Sequence, residues 1–220
     1  MAVETIDALV VHALSPDYSG TALTPIPSPQ PAAGEVRIAV RAAAVNFPDL
    51  LMTRGAYQLK PPLPFVLGME CSGVIDAVGG GVDPARIGAR VVAGTRLGAM
   101  AQAVCVDAAS ARPMPPALDW DTAAAYRAAY LTAWVALVRR AAVQPDEWVL
   151  VHGAAGGVGL ACVDLARHLG ARVIAASASP DKRAAIARLY APDAVIDSGP
   201  GFRDAVKAIT GAAGANVIID

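Results

Sequence analysis

The stretch VLVHGAAGGVGLACVDLARHLGARVIAASASPDKR, Val149 to Arg183, constrains the fold more than any other part of the chain. A short apolar run, Trp148 to His152, meets a glycine-rich turn, after which Val158, Cys162, Leu165 and Leu169 recur at helical spacing. This pattern predicts a strand, a tight turn and a helix lying on a sheet. Gly170 suits the left-handed cap that ends such a helix, and Arg172 to Ala176 supplies a second strand. Gly153, Gly156, Gly157 and Gly159 leave the backbone bare where N–H groups at the helix N-terminus can approach an anion, which the helix dipole also favours. A dinucleotide pyrophosphate is the ligand best matched to that turn, which Ala154, Ala155 and Val158 complete. Ala154 and Ala155 make the spacing differ from G-x-G-x-x-G, so the expectation rests on context: a strand before, a helix after, and the second strand within ~30 residues. The alternative is a structural turn that holds no ligand.

An NAD-specific site carries an acid near the end of the second strand, where it bonds the adenine-ribose 2′-hydroxyl. This chain has Ala176, Ser177, Ala178 and Ser179 there, followed by Lys182 and Arg183. Small hydroxyl residues leave room for a 2′-phosphate and the two cations supply countercharge, so the segment favours NADPH. The competing reading makes Asp181, Lys182 and Arg183 a solvated helix start, with Asp181 complementing the dipole.

Composition excludes several classes. Of 220 residues, 55% are hydrophobic and the formal net charge is −1, which fits neither a disordered chain nor a basic nucleic-acid binder. No apolar run approaches the ~20 residues of a membrane span. The N-terminal MAVETIDALVVHAL lacks the basic start of a secretory signal, and the expectation is a cytoplasmic protein. Cys71, Cys105 and Cys162 form no C-x-x-C pair and read as reduced packing thiols.

The chain has two textures. Before about Pro116 the apolar runs are short and proline-punctuated, with Val36, Ile38 and Val40 alternating with polar neighbours. Strands are expected there, at Gly73 to Val78, Arg90 to Ala93 and Met100 to Val106, with Ser110 to Trp120 as a linker. Helical patterning begins with DTAAAYRAAYLTAWVALVRRAAV, and from Gln144 apolar runs alternate with amphipathic helices, the signature of a parallel sheet. The expected division is a β-rich domain over residues 1–116 and a dinucleotide-binding domain over 117–220.

Three segments together resemble one family: AAAVNFPDLLMTRGAYQLKPPLPFVLGMECSGVIDAVG (Ala42 to Gly79), LTAWVAL (Leu131 to Leu137) and the glycine-rich stretch. The chain is similar to the zinc-independent quinone oxidoreductases of the medium-chain dehydrogenase/reductase superfamily, the group that includes zeta-crystallin and enoyl-reductase domains. The resemblance implies an α/β chain in which a GroES-like β-rich domain precedes a Rossmann doubly wound parallel sheet, with the active site in the cleft between them. Zinc-dependent relatives place a cysteine where this chain has Asn46 and a histidine where it has Met69, so no catalytic metal is expected. Hydride delivery from NADPH to an already electrophilic quinone or enone is then the implied reaction. Asn46 and Tyr57 map onto the residues that lie by the nicotinamide, to orient the ring and hydrogen-bond the acceptor oxygen. Asn46 also reads as a turn former before Pro48, and Tyr57 as an aromatic packed at a loop base.

Residues 127–132, Arg-Ala-Ala-Tyr-Leu-Thr, differ from the relatives: Thr132 is a cofactor-side hydroxyl, and the threonine expected to meet the carboxamide falls at Ala129. A tyrosine that grips the 2′-phosphate in some relatives is replaced by Ser198. Asp49 and Glu70 read as structural charges. The acceptor is expected to be a small electrophilic molecule, with neither nucleic acid nor membrane as partner, and the family is usually homodimeric. A catalytically silent NADPH-binding protein and an enoyl-thioester reductase are the alternatives. Four dinucleotide-fold strands are expected, the last at Asn216 to Ile219, against six in a full fold, so the chain is expected to be a fragment or truncated product with little or no turnover.

Overall fold

Period-two patterning produces strands throughout the first of the two units into which the chain divides, Met1–Arg127 and Ala128–Asp220. The computed structural model describes residues 4–220. In the first unit the order is β1 (Thr5–Val11), β2 (Thr21–Pro27), β3 (Glu35–Ala43), α1 (Phe47–Thr53), β4 (Phe65–Val66), β5 (Glu70–Val78), β6 (Arg90–Gly94), β7 (Ala103–Asp107) and β8 (Ala111–Pro113). They form two antiparallel sheets, β2-β1-β4 and β7-β3-β5-β6-β8. Alternate residues of β3 and β5 face one core, where Val36, Ile38, Cys71 and Ile75 are buried with Val91 and Val104. Pro25 and Pro27 cannot donate to a ladder, and β2 lies at a sheet edge, where that loss is tolerated.

Two features of the first unit differ from the sequence expectation. The strand expected over Met100 to Val106 shortens to Ala103–Asp107. The N–H groups of Gly98, Ala99 and Met100 instead donate to the carbonyls of Val66, Gly68 and Leu67, which turns the chain before the ladder begins. The expected linker Ser110 to Trp120 contains β8, paired antiparallel with β6.

The helix α2 (Trp120–Trp134) continues as a π-helical turn over Val135–Arg140. In the second unit follow β9 (Trp148–Val151), α3 (Gly157–His168), β10 (Arg172–Ala176), α4 (Pro180–Tyr190), β11 (Ala194–Ile196), α5 (Phe202–Ile209) and β12 (Val217–Ile219). The strands are parallel in the order β11-β10-β9-β12. In order of appearance this is 3-2-1-4, the start of the doubly wound arrangement. Strands buried on both faces read as continuous apolar runs rather than alternating ones. Val149 and Val151 of β9 face Cys162 and Ala166 of α3, whereas Leu150 joins Ile174 and Val206 on the other face. Among the described residues no helix is long and apolar enough to cross a membrane.

Removing a buried side chain from the first core should therefore cost far more than removing an exposed one. Ile75→Ala, at a fully buried position, is expected to lower unfolding stability by about 2–5 kcal/mol, while Leu23→Ala, at an exposed one, changes it by less than about 0.5 kcal/mol. Urea unfolding followed by circular dichroism measures both, and similar effects from the two would contradict this core assignment.

Candidate functional site

In the second unit the glycines between β9 and α3 have separable tasks. Gly153 adopts φ +58°, the left-handed region that favours glycine. A Cβ on Gly159 would stand 2.3 Å from the Gly153 carbonyl oxygen and 2.8 Å from the Ala154 Cα, so glycine lets α3 approach the turn. Gly157 differs from both: it is exposed, and a Cβ there would meet nothing within 4 Å. The protein's own packing does not demand its bareness. Gly157, Val158 and Gly159 lie in the first turn of α3, where backbone N–H groups lack carbonyl partners four residues back. An exposed crest of N–H groups with open space above it fits the phosphates of a dinucleotide.

The end of β10 brings the next part of the site. Ser177 is buried and its N–H donates to the Ile196 carbonyl, holding the strand end against β11. The Ser179 hydroxyl caps α4 by accepting from the Lys182 N–H at 3.4 Å. Lys182 and Ala155 line one cavity of about 160 Å³, so the structure brings the glycine turn and α4 together. Arg183 is engaged otherwise: Nη1 donates to the carbonyls of Ser177 (2.7 Å) and Ala178 (2.9 Å) and pairs with Asp197 at 3.0 Å. Ser198 follows Asp197 in the turn after β11. The Thr132 hydroxyl donates to the Ala128 carbonyl of its own helix at 2.8 Å, and Ala129 packs against the core beneath α3. A larger cavity of about 570 Å³ opens at Trp148, Arg172 and Asn216, where the strands begin. Open α/β sheets take ligands at the carboxyl ends of their strands, so that cavity lies at the wrong end.

In the first unit Asn46 precedes α1, whose second residue, Pro48, has no N–H to leave unpaired. The Asp49 carboxylate accepts from the backbone N–H of Asn46 (2.8 Å) and of Gly68 (3.2 Å), tying α1 to the turn before β5. Asp49 is buried, and that burial pushes its carboxyl above the usual range against the opposing pull of the two N–H donors. The Asn46 Nδ2 donates to buried Glu70 at 3.0 Å, which fixes the direction of the amide. Tyr57 and Met69 line a cavity of about 400 Å³ with Gln58, Leu59, Thr95 and Arg96. Asn46 and Tyr57 are thus related through the consecutive residues Glu70 and Met69. The roles read for Asp49 and Glu70 as structural charges agree with these bonds. Arg96 carries no mark in the sequence beyond being a lone cation in the loop GTRLG.

Zinc does not fit these residues. The two positions are an amide already bonded to Glu70 and a thioether, whereas catalytic zinc takes His, Cys or carboxylate ligands. Among the described residues no group of three His, Cys, Asp or Glu side chains could hold a metal ion. Burial pushes the Cys71 thiol up to about 12 and the Cys105 thiol up to about 11, far from a thiolate at neutral pH.

Comparison with known proteins agrees with this architecture. The Alcohol dehydrogenase GroES-like domain family matches residues 32–116 and the Zinc-binding dehydrogenase family matches residues 157–220. Quinone oxidoreductase-like protein 2 of Mus musculus is 41% identical over 187 residues, 84% of this chain and 53% of that protein. A probable oxidoreductase from Mycobacterium abscessus superposes with a TM-score of 0.91 at 36% identity, covering 100% of this chain and 69% of the other. The quinone oxidoreductase from Thermus thermophilus, solved also in complex with NADPH, superposes with a TM-score of 0.81 at 33% identity, covering 97% of this chain and 66% of the other. The chain belongs to the medium-chain dehydrogenase/reductase superfamily and is built from a GroES-like unit and a Rossmann-type unit. Within that superfamily it belongs to the quinone-oxidoreductase-like family. It spans about half the length of the curated relatives it matches.

The two glycines of α3 give opposite expectations for stability. Gly159→Ala should destabilise the protein by about 1–3 kcal/mol through its backbone clash, whereas Gly157→Ala should leave it unchanged or raise it by up to about 1 kcal/mol through helix propensity. Thermal unfolding compares them, and a Gly157→Ala loss as large as that of Gly159→Ala would show that Gly157 serves packing.

Proposed function

We propose that this chain is the core of an NADPH-dependent reductase of quinones or related α,β-unsaturated carbonyls that works without zinc. The observation that carries this reading is Gly157, bare and exposed at the crest of α3 with no internal reason to be glycine. The complex of the Thermus thermophilus relative with NADPH supports the same cofactor class. Gly153, Gly156, Gly157 and Gly159, with Ala154, Ala155 and Val158, would hold the pyrophosphate, and Ser177 and Ser179 would border the 2′-phosphate. Lys182 supplies its countercharge; Arg183, engaged with two carbonyls and Asp197, braces the loop that Ser177 and Ala178 form. Thr132 and Ser198 remain cofactor-side candidates.

When bound, the reduced nicotinamide supplies a hydride, and a proton taken from water completes the two-electron reduction of the acceptor. Asn46, its amide held by Glu70, orients the nicotinamide side of the site, and the Tyr57 hydroxyl donates to the acceptor oxygen as negative charge develops there. An acceptor conjugated to its carbonyl needs no Lewis acid to accept hydride, which suits a site whose residues fit no zinc.

Three measurements test this reading. Lys182→Ala is expected to weaken NADPH binding by about 1–3 kcal/mol and NADH binding by less than about 0.5 kcal/mol, by fluorescence titration; equal losses would remove Lys182 from the 2′-phosphate. Slow loss of reduced-nicotinamide absorbance is expected with quinones or enones in a panel that also holds an α,β-unsaturated thioester; cofactor binding with no turnover on any of them would favour a silent binding protein. Elemental analysis is expected to find no stoichiometric zinc. One zinc per chain, with activity lost to a chelator, would overturn the mechanism.

A further inference from the structure

The cavity beside Tyr57 holds a feature that reduction of a neutral quinone does not use. Leu59 and Met69 supply apolar lining, and Tyr57, Gln58, Thr95 and Arg96 supply polar lining. Arg96 is the one charged side chain among the described residues that line it. It is exposed, and among the described residues nothing forms an ion pair or hydrogen bond with its guanidinium. The neighbouring acids are turned to other tasks: Asp49 accepts from the Asn46 and Gly68 N–H groups, and Glu70 accepts from the Asn46 amide. Lys60, exposed at the end of the segment that carries Tyr57, adds a second positive charge nearby in sequence.

The loop that presents Arg96 is tightly held. The Thr95 N–H donates to the Met69 carbonyl at 2.8 Å, and the Thr95 hydroxyl donates to the Leu97 carbonyl at 2.8 Å. Gly98, Ala99 and Met100 then bond back to Val66, Gly68 and Leu67. The backbone at Arg96 is therefore fixed relative to Met69, the residue that shares the cavity with Tyr57. A cation on a rigid base, without a partner among the described residues, in a cavity that Tyr57 also lines, is arranged to meet an anion.

We propose that Arg96 selects the acceptor, binding a carboxylate or phosphate that the acceptor carries while its carbonyl end lies against Tyr57. The preferred substrate is then an anionic quinone or enone rather than a neutral one. This rests on the reductase reading for the identity of the electrophile, but the anion site itself does not require turnover.

The test uses one quinone scaffold with three side chains of matched length, ending in a carboxylate, a phosphate monoester or a neutral amide. For the unaltered chain, kcat/KM with at least one of the anionic acceptors is expected to exceed that with the amide by about fivefold or more, the scale of an Arg–anion contact at a partly exposed site. In Arg96→Gln that ratio should fall to about one, and Arg96→Lys should restore part of it. Which anion gains most identifies carboxylate or phosphate as the natural group. Higher ionic strength should shrink the preference, because the contact is open to solvent. Titration with the corresponding non-reducible hydroquinone ethers, followed by calorimetry, measures the same preference without chemistry. If no acceptor is reduced but the ethers still discriminate by charge, and lose that discrimination in Arg96→Gln, the reductase reading fails and the anion site stands. A ratio near one in the unaltered chain, or an unchanged ratio in Arg96→Gln, overturns the proposal.

Discussion

The second unit depends on a contact that admits no side chain, the approach of Gly159 to the Gly153 carbonyl. At 2.3 Å a Cβ would force α3 away from the end of β9. With α3 seated, Cys162 and Ala166 reach Val149 and Val151, and one face of the sheet closes. The same seating aims the first-turn N–H groups of α3 outward at the strand ends, where Gly157 leaves them uncovered. Packing and anion recognition thus share one turn but use different glycines. The close contact belongs to Gly159 and the left-handed backbone to Gly153, while the openness that a ligand would exploit belongs to Gly157.

The first unit has a comparable knot around Asp49. A buried carboxylate requires donors, and two backbone N–H groups, from Asn46 and Gly68, supply them. These bonds join α1 to the turn that starts β5 and bring Asn46 within reach of Glu70. Gly68, at φ +103° and with the Met100 N only 2.4 Å from where its Cβ would stand, permits the loop around Met100 to pass closely. Asn46 owes its place to this set of polar ties, whereas Tyr57 and Met69 pack against the apolar cluster of Met52, Phe65 and Leu67. The acid pair that reads as structural charge in the sequence is what holds Asn46, the residue proposed to orient the nicotinamide.

The second unit is largely legible in the amino-acid sequence because its central strands, β9 and β10, are buried on both faces and its helices are periodic. Each strand, β9 to β12, coincides within a residue or so with an apolar run, and the order is the one the doubly wound fold prescribes. The β-rich unit is less so. β2, TALTPIP, carries two prolines that argue against a strand, and only its place at a sheet edge reconciles them with one. β8 lies hidden in a proline-rich segment because three residues paired with β6 leave no periodic trace. Among the site residues, the charge run at Lys182 and Arg183 can be located in the sequence but not divided. Which cation braces a loop and which stays exposed depends on the position of Asp197 and the Ser177 carbonyl, both set by tertiary structure. Arg96 belongs to no pattern at all, since a lone cation in a glycine-flanked loop gains meaning only from the cavity it lines.

The nicotinamide dinucleotide that we propose lies on the glycine crest of α3. Hydrogen exchange with and without NADPH, resolved to short peptides by mass spectrometry, tests that placement most directly. Slowed exchange of amides in residues 153–160 and at the start of α4 around Lys182, with no change around Trp148, Arg172 and Asn216, is the predicted result. Unchanged exchange over residues 153–160 at saturating NADPH, or protection confined to the cavity at Trp148 and Arg172, would contradict it.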